Sequence, residues 1–593
     1  MFALTLAVCA MAIPAKPGAF DYVQPDGSVV RLEMHGDEFF AWTTLAGSSQ
    51  VMELGEDGFW RPSTLDYPAL KAAGARRAMM NRSRIEPFTH TDNPMTHGER
   101  HIPVFLVSFK DKDFSIADPA EAFNRMLNQN GYSENDARGS VQDFYLDNSH
   151  GEFKPVFDIY GPVKLPQNMA YYGGNTNKNP GSDRQPYMAL YHAAQQLKDQ
   201  IDWTLYDTDN DGILDMLLFY YAGYSEAEGQ GINQDCIWPH QWDMRVAGGA
   251  VGSATYDGKL LGKYFCTSEL KNNSGSTMCS IGPTCHEFAH SLGLPDFYDS
   301  DGEVNGEAGG LYFYSTMCYG SYNMDSTCPP YFNSEERLLL GWMTEDDIQT
   351  LAPGLCTIGN IRDDIAYRSY TSTDGEYFVY ECREQSGWDA YLPGGLIVYH
   401  VDKSPSRHLV DAATGADYTL DILWSDWRSS NKVNAFGNHP CFYIVPSADQ
   451  SNLLMTFYYY ADIQKLPFPG KDKVTTYTPI DWNGNQTGTK ISGIGYASGN
   501  VSMFVESFEP ATSFAQLGIN AIADPKNGAY SAGDKFTFEA SLADDPVSIV
   551  WYYDGAKVSA SSVNLTAGSH VVKALLTFAD GATEILSLSL SVK

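Results

Sequence analysis

Cysteine is almost absent from the first two-fifths of the chain: after Cys9 none occurs until Cys236. No two cysteines have the C-x-x-C spacing, which excludes a zinc knuckle built on thiolates. Basic residues are also few. Lys and Arg total 39 against 73 Asp and Glu, a formal net charge of −34. A surface that acidic repels nucleic acid and anionic membranes, so neither is an expected partner. Beyond the first twenty residues no apolar run is long enough to span a bilayer, and no internal repeat or low-complexity tract stands out.

What is present describes a globular protein of several domains. The 593 residues exceed what one hydrophobic core supports, so three or four domains are expected. The opening "MFALTLAVCAMAIPAKPGAF" is an apolar run ending in small residues before Lys16, the pattern of a secretory leader over residues 1–16. No Lys or Arg precedes it, which leaves a start further upstream open. "LAVC" around Cys9 offers a lipid anchor as the minority alternative. Export would allow disulfides among the remaining cysteines, but nine is an odd number and the pairing is not readable.

Residues 17–100 are expected to form a β-rich leading segment, with turns at "QPDGS" and "GEDGF", and then a basic linker containing "RRAMMNRSR". From residue 101 to 348 strands and helices alternate: "HIPVFLVSF", "DPAEAFNRMLNQNGY", "SVQDFYLDNSHGEF", "PYMALYHAAQQLKDQI" and "GILDMLLFYYAG" predict an α/β domain. Short strands between Gly, Pro and Asn turns make 349–508 an all-β sandwich. The last segment, 509–593, with a tryptophan in the middle strand "IVWYYDGAKV", reads as an immunoglobulin-like sandwich.

The chemistry lies in "HEFAHSLGLPDFYD", residues 286–299. On a helix His286 and His290 are one turn apart on one face, so both imidazoles reach one ion. Glu287 is displaced around the helix as a candidate base. Gly293 can end the helix, Pro295 stiffens the turn, and Asp296 returns as a third ligand. Two nitrogens, a carboxylate oxygen and an open position suit catalytic zinc. In a chain with 13 histidines the bare H-E-x-x-H arises by chance with a probability on the order of a few per cent; the added Gly and Asp lower that more than about ten-fold. The stretch "YFYSTMCYGSYN" that follows resembles the methionine turn of metzincin peptidases, which implies Met317 beneath the metal and Tyr319 as a phenol able to hydrogen-bond an oxyanion. Glu303 and Glu307 are rival third ligands. The loop "DTDNDGILD" sets Asp207, Asp209, Asp211 and Asp215 at positions 1, 3, 5 and 9 of a calcium-type loop with Gly212 at 6. Leu218 at position 12 excludes an EF-hand.

These motifs, together with "CIWPHQW", "YFVYECRE", "GGLIVYHVD", "NKVNAFGNHP" and "PFPG", resemble the immune-inhibitor-A type of secreted metalloproteases, a metzincin branch with aspartate as third zinc ligand. The resemblance covers residues 100 to about 508, and "HGDEFFAWTT" is similar to the family's propeptides. It implies a metzincin-like catalytic domain, zinc on His286, His290 and Asp296, Glu287 as general base and calcium as a stabilising ion. Its partners would be protein or glycoprotein substrates, its oligomeric state unknown with a monomer expected, and its location extracellular. A zymogen follows from the leading segment, which lacks the cysteine needed for a thiol switch; Asp37 or His35 in "EMHGDEFF", with His90 and Asp92 as rivals, are the candidate zinc blockers. The alternatives are a mucin- or glycoprotein-selective peptidase targeted by the last domain, and a non-catalytic adhesive surface protein.

Overall fold

The computed structural model describes residues 12–70, 94–175, 183–300, 308–410, 417–448, 460–507 and most of 518–592, apart from isolated positions. Residues 1–11, the linker stretch 71–93 with His90 and Asp92, and Glu303 and Glu307 lie outside the described residues. No described helix is long and apolar enough to cross a membrane.

The leading segment is a five-stranded antiparallel meander, Ala19–Val23, Val29–Asp37, Phe40–Leu45, Val51–Leu54 and Trp60–Pro62, each strand paired with the next. It rests on the catalytic domain, where Trp42, Met52 and Trp60 line a shared cavity with Asn175, Glu226 and Gln234.

The catalytic domain is built on five strands: β1 (Gly98–Ser108), β2 (Phe153–Lys164), β3 (Met216–Tyr224), β4 (His240–Asp243) and β5 (Lys263–Leu270). Their order is β2-β1-β3-β5-β4, parallel except for the antiparallel edge strand β4. β3 is buried along nearly its whole length, as a central parallel strand covered on both faces should be. The predicted helices form as α1 (Pro119–Asn128), α2 (Val141–Asn148) and α3 (Tyr187–Leu197). Asp118 caps α1 with Pro119 at its first position, and Ser140 and Asp143 close a reciprocal capping box on α2, each cap contributing about 1 kcal/mol.

Helix α4 (Ile281–Ser291), which carries the histidines, is buried at every residue. Phe288 on it stacks on Phe265 of β5 and meets Tyr145 of α2 edge-on. Helix α5 (Ser334–Leu340) leads out of the domain.

The following all-β unit has a five-stranded and a three-stranded sheet enclosing a core of Phe378, Leu396, Val398, Phe468, Ile491 and Val501. Its five-stranded sheet also joins the catalytic core, since Val379, Tyr399 and Phe442 belong to one cluster with Phe288 and Met317. The last segment forms two further sheets around Phe536, Phe538, Val572 and Leu586.

Two features bear on the sequence reading. The nine cysteines from Cys236 to Cys441 are all unpaired, and all but Cys356 are buried; they act as small core side chains rather than staples. And the end of the segment read as a leader does not stand apart from the fold: Ala12, Ile13 and Ala15 are packed against the catalytic domain, almost without exposure.

Candidate metal centre and the peptide that crosses it

His286 and His290 project from one face of α4, their rings 4.7 Å apart and perpendicular. The helix ends because Gly293 takes φ +108°, a left-handed conformation costly to other residues. The chain then turns back and brings Asp296 beneath both rings. Two backbone carbonyls fix the tautomers: His286 Nδ1 lies 2.8 Å from Thr316 O, and His290 Nδ1 2.8 Å from Leu294 O. Those contacts require the proton on Nδ1, so each Nε2 presents a lone pair.

Three acceptor atoms therefore converge. The two Nε2 atoms are 3.1 Å apart, and Asp296 Oδ1 lies 3.2 and 3.3 Å from them with no hydrogen bond of its own. Three buried lone-pair atoms without a proton between them repel unless a cation sits at their focus. Bonds of about 2.0–2.2 Å to a tetrahedral zinc set neighbouring ligand atoms roughly 3.3–3.5 Å apart, so the donor set fits that ion.

Burial lowers the pKa of His286. Burial also pushes Glu287 well above the usual range, in keeping with a group that must carry a proton part of the time. Met317 is fully buried, and its carbonyl accepts from Phe297 N at 2.8 Å. The methionine turn thus braces the aspartate loop, while Thr316 beside it orients His286.

Sequence reasoning missed two contributors. The first is Asn431, from the all-β unit: its Oδ1 accepts from Asp296 N at 2.7 Å and its Nδ2 donates to Asp296 Oδ2 at 2.6 Å. Nothing local marks it; its only signal was membership of the block "NKVNAFGNHP".

The second is the peptide Ala12–Lys16, which crosses the centre. Ile13 N donates to Glu287 Oε1 at 2.8 Å, Tyr298 Oη donates to Ala12 O at 2.6 Å, Trp238 Nε1 to Ile13 O at 2.9 Å and Tyr322 Oη to Pro14 O at 2.7 Å. Further on, Ala15 N reaches Gly36 O at 2.8 Å and Lys16 N reaches Ala227 O at 3.0 Å. The Lys16 ammonium meets Asp325, Asn272 and Glu228 at 2.6, 2.7 and 3.2 Å.

The structure does not bring His35 or Asp37 into the three-ligand cluster. His35 stacks on Trp42 and contacts Thr44 Oγ1, and Asp37 accepts from Phe40 N. Their hairpin reaches the centre through backbone instead. Gly36, at φ +98°, turns so tightly that a Cβ would lie 1.9 Å from Phe40 O, and its carbonyl holds the peptide at Ala15. Tyr319 is half-buried, its ring 6.5 Å from that of Tyr298.

In the acidic loop Asp207, Asp209 and Asp215 converge within 4.8 Å. Asp211 is not part of that group; it accepts from Ile213 N. The Lys259 ammonium pairs with Asp207, and burial pushes Asp215 up to about 6.

Two histidines and an aspartate converging at one point, with a buried glutamate adjacent to the first histidine, are a donor set and an acid–base group of the kind metal-dependent hydrolases use. The family described as immune inhibitor A peptidase M6, catalytic domain, matches residues 106–337, and that part of the chain is similar to these metalloproteases. Among curated relatives, immune inhibitor A of Bacillus thuringiensis subsp. alesti is 25% identical over 221 residues, 33% of this chain and 31% of its own length. The pre-pro-metalloprotease PrtV of Vibrio cholerae serotype O1 (strain M66-2) is 25% identical over 240 residues, 37% of this chain and 25% of its own. The chain thus spans about a third or less of these relatives' length. A crystal structure of wild-type OgpA from Akkermansia muciniphila aligns over 85% of this chain and 96% of its own at 11% identity, with a TM-score of 0.22.

Proposed function

We propose that the protein is a secreted zinc metalloendopeptidase of the metzincin type, made as a zymogen and acting on extracellular proteins or glycoproteins. One observation carries the reading: beside a three-ligand centre, the carboxylate of Glu287 meets the backbone nitrogen of a peptide lying across the site. His286, His290 and Asp296 would hold the zinc, which when bound would supply a Lewis acid for a carbonyl and lower the pKa of water toward neutrality. Glu287 takes the proton of the attacking water and delivers it to the nitrogen of the breaking bond, as a C–O bond forms and the C–N bond is lost. Asn431, Thr316 and Leu294 keep the three ligand side chains oriented.

In this reading the leader is removed ahead of Ala12, so the strap Ala12–Lys16 stays on the exported precursor and denies a substrate the space beside Glu287. The strap runs directly into the meander, so a cut in the basic stretch 71–93 leaves strap and sheet as a separate piece held by non-covalent contacts alone. The precursor is then inert until nicked between Arg76 and Arg84, and intact mass with N-terminal sequencing of the activated product checks the position. A calcium ion at Asp207, Asp209 and Asp215 belongs to the same reading; thermal melts with calcium and with a calcium-selective chelator should differ, and Asp209→Ala should shrink that difference.

Glu287→Ala tests the centre. The variant should retain one zinc per chain yet lose caseinolytic activity by about 10²–10⁴-fold or more, because base and ligands are separate groups. Loss of zinc in the variant, or retained activity, counts against the assignment.

A further inference from the structure

We propose that Tyr298 binds the carbonyl oxygen of the scissile bond, a role that rests on the metalloendopeptidase reading and that sequence spacing had given to Tyr319. Ala12 O and Ile13 N belong to one peptide bond. Its N–H donates to Glu287 at 2.8 Å and its carbonyl accepts from the Tyr298 phenol at 2.6 Å. In a trans peptide these two groups point in opposite directions, so a single amide is spanned between the base and the phenol. Trp238 on Ile13 O and Tyr322 on Pro14 O fix the register downstream, and the strap lies in the site as a substrate would, with Ala12–Ile13 in the place of the bond to be cut.

The phenol is held where that task needs it. Tyr298 follows Asp296 by two residues, and Phe297 between them is pinned by Met317 O on its N–H and by Asn434 Nδ2 on its carbonyl, both at 2.8 Å. Tyr298 itself is 4% exposed. During hydrolysis water oxygen bonds to the carbonyl carbon, one water proton passes to Glu287 and on to the departing nitrogen, and negative charge develops on the carbonyl oxygen. A phenol O–H already aimed at that oxygen binds it more strongly as the charge grows, which lowers the barrier rather than tightening substrate binding.

The test uses the full chain after limited trypsin treatment. Tyr298→Phe should lower kcat on a peptide substrate by about 10²–10³-fold with KM within roughly threefold, while zinc per chain and melting temperature stay those of the wild type. A phosphinic peptide, tetrahedral at the reacting atom, should bind the variant more weakly by calorimetry. Tyr298→Gln, which keeps a donor, should recover part of kcat and serves if the phenylalanine variant does not fold. Wild-type kcat in Tyr298→Phe, unchanged affinity for the phosphinic peptide, or a larger loss in Tyr319→Phe overturns the proposal. These outcomes are separable from failure of the broader reading: an inactive wild type or an active Glu287→Ala removes the peptidase itself, whereas an active wild type, an inactive Glu287→Ala and a fully active Tyr298→Phe remove only the role of Tyr298.

Discussion

Asp296 is gripped from both sides by one asparagine, and that grip is a testable property at the scale of single residues. Asn431 binds the backbone N–H and the outer carboxylate oxygen of Asp296, leaving Oδ1 as the atom turned toward the two imidazoles. Groups that orient a metal ligand typically change affinity by about 10–100-fold when removed. Asn431→Ala should therefore weaken zinc binding by about that factor while leaving far-ultraviolet circular dichroism unchanged, as measured by competition with a chromophoric chelator. Unaltered affinity would show that the aspartate is held well enough by its own loop. The convergence of His286, His290 and Asp296 was legible because a helix converts spacing into geometry: four residues is one turn, and Gly293 with Pro295 predicts the return to Asp296. Asn431 was not, because a contact across 135 positions leaves no local pattern.

At the scale of elements, helices α1, α2 and α3 and strands β1 and β3 follow from capping residues and apolar periodicity and form where those signals put them, whereas β2 and β5 were not read from the sequence. The strap escaped the same reading for a physical reason. A short apolar run ending in small residues serves equally to be cut away or to lie flat in a cleft, and only the fold brings Ile13 to Glu287, 274 positions later. The acidic loop shows the same limit: four aspartates at regular spacing predict a cage, whereas the structure gathers three of them and sets Lys259, far along the chain, on Asp207. Lys16 anchors the strap. Burial would lower its pKa, and the charges of Glu228 and Asp325 outweigh that and raise it. Hydrogen bonds to charged groups contribute about 1.5–3 kcal/mol each, so Lys16→Ala should raise the residual activity of uncut precursor roughly tenfold or more, read with a quenched fluorescent peptide and intact mass on the same sample. Unchanged latency would mean that the meander alone holds the strap in place.

At the scale of the whole molecule, the cores divide the chain unequally. The catalytic domain and the five-stranded sheet behind it share one cluster, and Asn431 ties that sheet's neighbourhood to the metal centre, so the two fold and fail together. Asp402 belongs to this joint unit. Burial would raise its pKa, but a hydrogen bond from His439 and the charge of Arg407 outweigh it and hold it at about 2. A depressed carboxylate contributes stability that is present above its unfolded value, near 3.8, and is lost as pH falls through the folded one. The melting-temperature gap between wild type and Asp402→Asn should thus be full at pH 6 and close toward pH 2; a gap independent of pH would assign the effect to packing. The last segment behaves differently, since among the described residues its cluster of Phe536, Phe538, Leu565, Val572, Ala574, Leu576, Leu586 and Val592 contains none from the rest of the chain. A separate core predicts separate unfolding. Deleting residues 509–593 should leave zinc content, caseinolysis and the main melting transition unchanged while removing one calorimetric transition. If the segment serves to hold a natural glycoprotein substrate, the truncated enzyme should also lose binding to mucin-coated surfaces without losing activity on casein. Loss of caseinolysis on truncation would instead make the segment part of the catalytic unit, against the division of the cores.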